Sequence, residues 1–122
     1  MSHANTIRAY YAAWVRDDLQ TVMSLCTEDV RAVNVPIGPI NGKEAVQKFF
    51  HSFGRGMSDK IYDVQRILVE GDTAVVEGTE SYIKNGRQVS LPYMTTFLFE
   101  GPLISEWRDY FDLSTVLKQL GK

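Results

Sequence analysis

The chain has 122 residues, 44% of them hydrophobic and 23% charged, with a formal net charge of −2. That length suits one domain, residues 1–122, with a hydrophobic core of its own. The near-neutral charge gives no electrostatic footing for nucleic acid or an anionic membrane surface, and no apolar run approaches the roughly 18 residues of a membrane span.

The elements follow in chain order. Ile7, Tyr10, Tyr11 and Trp14 recur at helical spacing and predict an amphipathic helix over about 3–16. No basic stretch followed by an apolar core precedes it, so no signal peptide is expected. Asp17-Asp18 offers a cap for a second short helix through Leu19, Val22, Met23 and Cys26. Cys26 is the one cysteine and allows no intrachain disulfide, which fits a reducing, cytoplasmic compartment. On an apolar helix face it reads as core packing. Val30 to Val35 alternate as a strand, which Pro36-Ile37-Gly38-Pro39 breaks. Ala45, Val46, Phe49, Phe50 and Phe53 predict a third helix, closed by Gly54-Arg55-Gly56. Strands are expected over about 59–69, 73–83, 88–99 and 103–111, and a last short helix over about 113–120. This order predicts an α+β fold, a curved antiparallel sheet with helices packed on its concave side to form a cone with a pocket.

Strand register places the chemistry. Asn85-Gly86 is a strong signal for a two-residue hairpin turn. It pairs Lys84 with Arg87 and, continuing, Tyr82 with Val89, Glu80 with Leu91, Gly78 with Tyr93, Val76 with Thr95 and Ala74 with Phe97. These residues share one face. That face is mostly apolar and should point inward, so Glu80 points inward too. A three-residue turn at Glu100-Gly101-Pro102 would then pair Thr95 with Trp107, Tyr93 with Asp109 and Leu91 with Phe111. A one-residue slip would bury Glu106 and Arg108 instead, which is costlier. Asp109 therefore enters the same cavity as Glu80, at roughly 10–12 Å between Cα atoms. Two enclosed carboxyls do not both ionise easily. One keeps its proton and serves as an acid, and the other serves as a base.

Asp109 and Glu80 are the catalytic candidates. The plainer reading of Asp109 is a carboxylate bonded to Tyr93 or to solvent at the sheet edge. Asn34 reads equally as a strand-end turn residue or as a pocket amide that holds water. Tyr10 and Trp14 on the first helix, with the inward Tyr93, Trp107 and Phe111, are the expected substrate-binding surface. His3 and His51 lie far apart with no ligand spacing, so no protein-built metal site is expected. No phosphate loop or nucleophile elbow is present, and no cofactor is expected.

The run Trp107-Arg108-Asp109-Tyr110-Phe111-Asp112-Leu113 closely resembles the C-terminal motif of the limonene-1,2-epoxide hydrolases. Those enzymes belong to the nuclear transport factor 2-like superfamily, a cone-shaped α+β fold that also holds ketosteroid isomerases and SnoaL-like polyketide cyclases. The resemblance implies that Asp109 deprotonates water, that Asn34 in Val33-Asn34-Val35-Pro36 holds that water, and that Glu80 stands where an acid protonates the epoxide oxygen. It also marks two departures. The family's Arg, which bridges the two acids, falls at Gly78, and its water-orienting Tyr falls at Ala32. The isomerase pattern fits less well, because its first-strand base falls at Asn34. A cyclase pattern fits about as well as the hydrolase.

The expectation is a small cofactor-independent enzyme acting on an apolar, oxygenated small molecule. Epoxide hydrolysis is the sharpest version, with proton transfer beside a carbonyl, or a non-catalytic binding or assembly domain, as alternatives. The resemblance also implies a homodimer through the outer face of the sheet, where Thr79, Met94, Leu98 and Tyr110 would lie.

Overall fold

The computed structural model describes residues 1–122. Helix α1 (His3–Val15) begins at Ser2, whose side chain accepts from the Asn5 amide. Its buried stripe is Thr6, Ile7, Tyr10, Tyr11, Ala13 and Trp14. Asp18 caps α2 (Leu19–Ser24) by accepting from the Thr21 amide at 3.1 Å. That helix ends sooner than its periodicity suggests. Cys26 already belongs to strand β1 (Cys26–Asn34), where it is buried and its Sγ donates to the Val22 carbonyl at 3.3 Å. The Pro36–Pro39 break is a turn leading into a short strand β2 (Gly38–Asn41), which the residue pattern does not predict and which folds back antiparallel on β1. Helix α3 (Lys43–Phe53) follows, then β3 (Met57–Glu70), β4 (Thr73–Lys84), β5 (Arg87–Glu100), β6 (Leu103–Tyr110) and α4 (Leu113–Gln119).

The six strands form one sheet in the order β2-β1-β6-β5-β4-β3. Every neighbouring pair is antiparallel except β1 with β6, which run parallel. A parallel joint needs a long connection, and here the whole of β2 to β5 supplies it. The core lies between the inner face of the sheet and α1 and α3. Ile7, Val22, Val30, Val46, Val76, Phe97 and Ile104 are sealed within it, and Tyr10, Trp14, Phe50 and Trp107 pack edge and face around them. Tyr82, Val89 and Leu91 form a smaller cluster under α4. At the start of α1, His3 stacks on Phe99 at 3.8 Å and meets Asp72 at 3.0 Å. No helix is long and apolar enough to cross a membrane.

The β4–β5 register runs as the Asn85-Gly86 turn dictates, from Lys84 opposite Arg87 to Ala74 opposite Phe97. Both turn residues have positive φ, 51° and 82°, which gives the tight hairpin its twist. The β5–β6 register differs from expectation. The turn has two residues, Gly101-Pro102, so Glu100 faces Leu103 and Phe99 faces Ile104. A bulge at Ser105 then places Leu98 opposite Glu106, Phe97 opposite Trp107 and Thr95 opposite Asp109. The turn and the bulge each shift the pairing by one residue. Together they shift it by two, which changes every partner and preserves every face.

Candidate active site

A cavity of about 320 Å³ opens between the inner face of the sheet and the helices, lined by 20 residues, 15 of them hydrophobic. Tyr10, Trp14, Tyr93 and Phe111 line it, as do Asn34, Glu80 and Asp109. Trp107 does not reach the wall. It is sealed behind it against Tyr10 and Phe50, because the bulge at Ser105 sets it opposite Phe97 in the core. Tyr11, Tyr82 and Lys84, which the sequence pattern places inward without assigning them to the site, also line the wall, and so does Tyr62, which it does not single out. Tyr62 stands directly opposite Glu80 because a bulge between Val64 and Arg66 shifts the β3–β4 register by one; the register of the hairpin alone would set it opposite Ser81, so the sequence carried no signal for it.

Asp109 sits at the meeting of three strands. Across β5 its Oδ1 accepts from Thr95 Oγ1 at 2.7 Å, so its partner is Thr95 and not Tyr93. On the other side it lies level with Asn34 on the parallel strand β1, and its own carbonyl accepts from the Val35 amide at 3.0 Å. Both side chains thereby reach the cavity from neighbouring strands. Burial pushes the Asp109 carboxyl up to about 6, against the pull of hydrogen bonding from the Thr95 and Trp107 side chains. Burial pushes Glu80 up to about 7, with Tyr62 pulling down and the Asp109 charge adding to the rise. No cation is among the groups that set either ionisation. In the β5 frame the two carboxyls lie four residues apart, opposite Leu91 and Thr95, where two were expected. The curvature of the sheet still brings them into one cavity.

On the outward side, the two charges whose burial decided the register stay out of the core. Glu106 pairs with Arg31 and with Arg108, both at 3.3 Å. At the hairpin end of the cavity Lys84 Nζ donates to the Phe53 carbonyl at 2.6 Å and the Arg55 carbonyl at 3.1 Å, satisfying the C-terminal end of α3. Cys26 lies apart from the cavity, and burial pushes its thiol up to about 12, which makes it a poor nucleophile. No cluster of three or more His, Cys, Asp or Glu side chains has a metal-binding arrangement.

Position 78 explains one departure from the hydrolase pattern. A Cβ on Gly78 would lie 2.3 Å from the Asp63 carbonyl oxygen and 3.0 Å from Tyr93 Oη. The bulge in β3 next to Val64 and the Tyr93 hydroxyl together occupy the space, so a side chain there would force backbone to shift. At position 32, Ala32 is itself buried in the main core.

A curved six-stranded sheet with helices closing one side of it is the nuclear transport factor 2-like fold. Within it, the chain belongs to the SnoaL-like domain family, whose model matches residues 7–107. Asp109 lies just past that match. No curated protein matches the sequence. Among solved structures, a protein of ketosteroid isomerase-like fold from Catenulispora acidiphila DSM 44928, in complex with trimethylamine, is 23% identical with a TM-score of 0.86, over 95% of this chain and 92% of that one. An epoxide hydrolase from M. tuberculosis, like the limonene epoxide hydrolases, is 22% identical with a TM-score of 0.83, over 96% and 90%. A candidate SnoaL-like polyketide cyclase from Shewanella denitrificans OS-217 is 18% identical with a TM-score of 0.87, over 97% and 96%. Identities this low speak for the fold alone.

Proposed function

We propose that this protein is a cofactor-independent acid–base enzyme acting on an apolar, oxygenated small molecule. The observation that carries the reading is that Glu80 and Asp109 enter one apolar cavity, with no cation setting the ionisation of either. Burial raises both carboxyls, so they share a proton; Asp109, whose ionised form the Thr95 hydroxyl stabilises at 2.7 Å, is taken as the base and Glu80 as the acid. In its sharpest form the reaction is hydration of an epoxide. Asn34 positions a water, Asp109 takes one of its protons, and the oxygen attacks an epoxide carbon. The carbon–oxygen bond breaks as Glu80 gives its proton to the leaving oxygen, and a diol results. The pair is left with its proton on Asp109 and resets by proton exchange.

A second reading is proton transfer beside a carbonyl, as in isomerisation or aldol cyclisation. It is favoured by the crowded space at Gly78, which works against the cation that bridges the acids in the hydrolase pattern. Moving one proton needs only a base and an acid. The test is product analysis with limonene oxide, cyclohexene oxide and a β,γ-unsaturated ketosteroid. Diol made by wild type and lost in Asp109→Asn supports the first reading. Isomerised ketone lost in the same variant supports the second. No turnover, with ligand affinity unchanged by Asp109→Asn, would favour a non-catalytic binding or assembly domain.

Two further points belong to this reading. A homodimer would form through the outer face of the sheet, where Met94 and Tyr110 face each other across β5 and β6, beside Leu98, and all three are exposed. Sedimentation of wild type against Met94→Lys tests it. The single buried cysteine fits a cytoplasmic setting.

A further inference from the structure

The floor of the cavity holds more buried hydroxyl than the reaction has used. Oη of Tyr11 and Oη of Tyr93 are both sealed, and neither has a hydrogen-bond partner. A buried unpaired hydroxyl costs about 1–3 kcal/mol, and two in one place call for a reason.

Their setting supplies one. On the inner face of the sheet Tyr62 stands opposite Glu80, Tyr93 opposite Gly78 and Thr95 opposite Asp109. Tyr93 and Thr95 are two residues apart on β5 and so share that face. Tyr11 comes down from α1, its ring 5.0 Å from that of Tyr62 and 6.1 Å from that of Tyr93, while the Tyr62 and Tyr93 rings are 5.5 Å apart. The result is a row that starts at Glu80, passes through three phenols and Thr95, and ends in the 2.7 Å bond to Asp109. Gly78 admits the row, since a Cβ there would crowd Tyr93 Oη at 3.0 Å.

We propose that the hydroxyls of Tyr62, Tyr93, Tyr11 and Thr95 form a neutral bridge that couples Glu80 to Asp109, with the three tyrosines as positioning residues. The inference rests on the acid and base roles given above, but its test needs no turnover. A hydroxyl both donates and accepts, and it rotates to suit. The row can therefore turn its donors toward whichever carboxyl is ionised. A guanidinium would stabilise both carboxylates at once, whereas a row of hydroxyls favours one proton held between the two. Burial dominates the ionisation of Tyr11 and Tyr93. Among the smaller influences, Thr95 lowers Tyr11 and Tyr11 lowers Tyr93, as close neighbours short of a formed hydrogen bond, in the order the row requires. The other titratable groups facing this layer are Tyr10 from α1, Tyr82 and Lys84 from β4, and Lys122 beyond α4, of which only the lysines are cationic; Asp63 on β3 acts on Tyr93 from the exposed face.

The experiment is a carbon-detected NMR titration of the Glu80 and Asp109 carboxyls in the unliganded protein. Tyr93 stands opposite neither carboxyl, yet Tyr93→Phe should move both midpoints by about half a pH unit or more. Tyr82→Phe, in the same cavity but outside the row, should move neither. Midpoints unmoved in a folded Tyr93→Phe would overturn the proposal. If that variant does not fold, Tyr11→Phe is read in the same way. Moved midpoints without turnover on any substrate would leave the bridge standing and count against the enzyme, and turnover with unmoved midpoints would do the reverse.

Discussion

Thr95 and Asp109 face each other across β5 and β6, and the threonine hydroxyl donates to the carboxylate at 2.7 Å. This bond favours the ionised form of a carboxyl that burial otherwise pushes up to about 6. Thr95→Val keeps the shape and removes the donor. A hydrogen bond to a charged group contributes about 1.5–3 kcal/mol, so the acidic limb of the pH–rate profile should move up by about one to two units. A limb that stays in place would mean that another donor holds Asp109.

Removing the carboxyl itself should act on rate and stability in opposite directions. Asp109→Asn should cut turnover by about 10²–10⁴-fold, the usual worth of a positioned general base. The same change removes a group that is hard to ionise where it stands, so the folded variant should be no less stable than wild type above pH 7. Turnover assays and urea melts on one preparation decide both.

The pH dependence of stability should run against the common pattern for acids. Asp109 and Glu80 have folded-state values raised from 3.8 to about 6 and from 4.5 to about 7. Between each unfolded and folded value the native state binds more protons, so stability falls as pH rises. The loss begins near pH 4 and is complete a little above pH 7, on the order of a few kcal/mol for the pair. Urea midpoints from pH 4 to 8 measure it. A flat curve in Asp109→Asn/Glu80→Gln would assign the slope to these two groups.

Gly78→Ala should destabilise the fold by about 1–3 kcal/mol, the ordinary cost of overpacking. The Asp63 carbonyl would stand 2.3 Å from the new Cβ, and backbone in a ladder does not yield easily. Chemical denaturation reads it directly. Gly78→Arg should not restore the bridging guanidinium of the hydrolase pattern, for the same reason.

Lys60 offers a prediction away from the chemistry. Its side chain is 2% exposed, lies 3.8 Å from the centre of the Trp14 ring and pairs with Asp17. Asp17→Asn leaves that ammonium without its anion and should cost about 1–3 kcal/mol, while Lys60→Met replaces the charge with matching apolar volume and should be near neutral. Equal losses in thermal or urea unfolding would mean that the pair, and not the desolvated charge, is what matters.

Much of this molecule is legible in short-range pattern. Apolar residues at helical spacing locate α1 and α3, and Asn85-Gly86 sets the β4–β5 register from turn geometry alone. That register by itself points Glu80 inward. The face of Asp109 is legible too, because side-chain alternation survives any even shift, and the turn and the bulge together make an even one. Its partner is not, since the bulge at Ser105 is chosen by how Ile104 and Trp107 both reach the core. The end of α2 and the start of β1 at Cys26 escape the pattern for a related reason. An apolar residue at helical spacing fits either element, and packing decides.

The sequence by itself determined an α+β domain with two inward carboxyls, because turn chemistry and periodicity act over a few residues. The tertiary structure alone decided that β1 lies parallel beside β6, so that Asn34 meets Asp109. It alone sealed Trp107 behind the wall, crowded position 78 against a side chain, and gathered Tyr11, Tyr62 and Tyr93 from three elements into one layer. Those outcomes depend on contacts between residues tens of positions apart. No local propensity carries them, and the closing of the cone does.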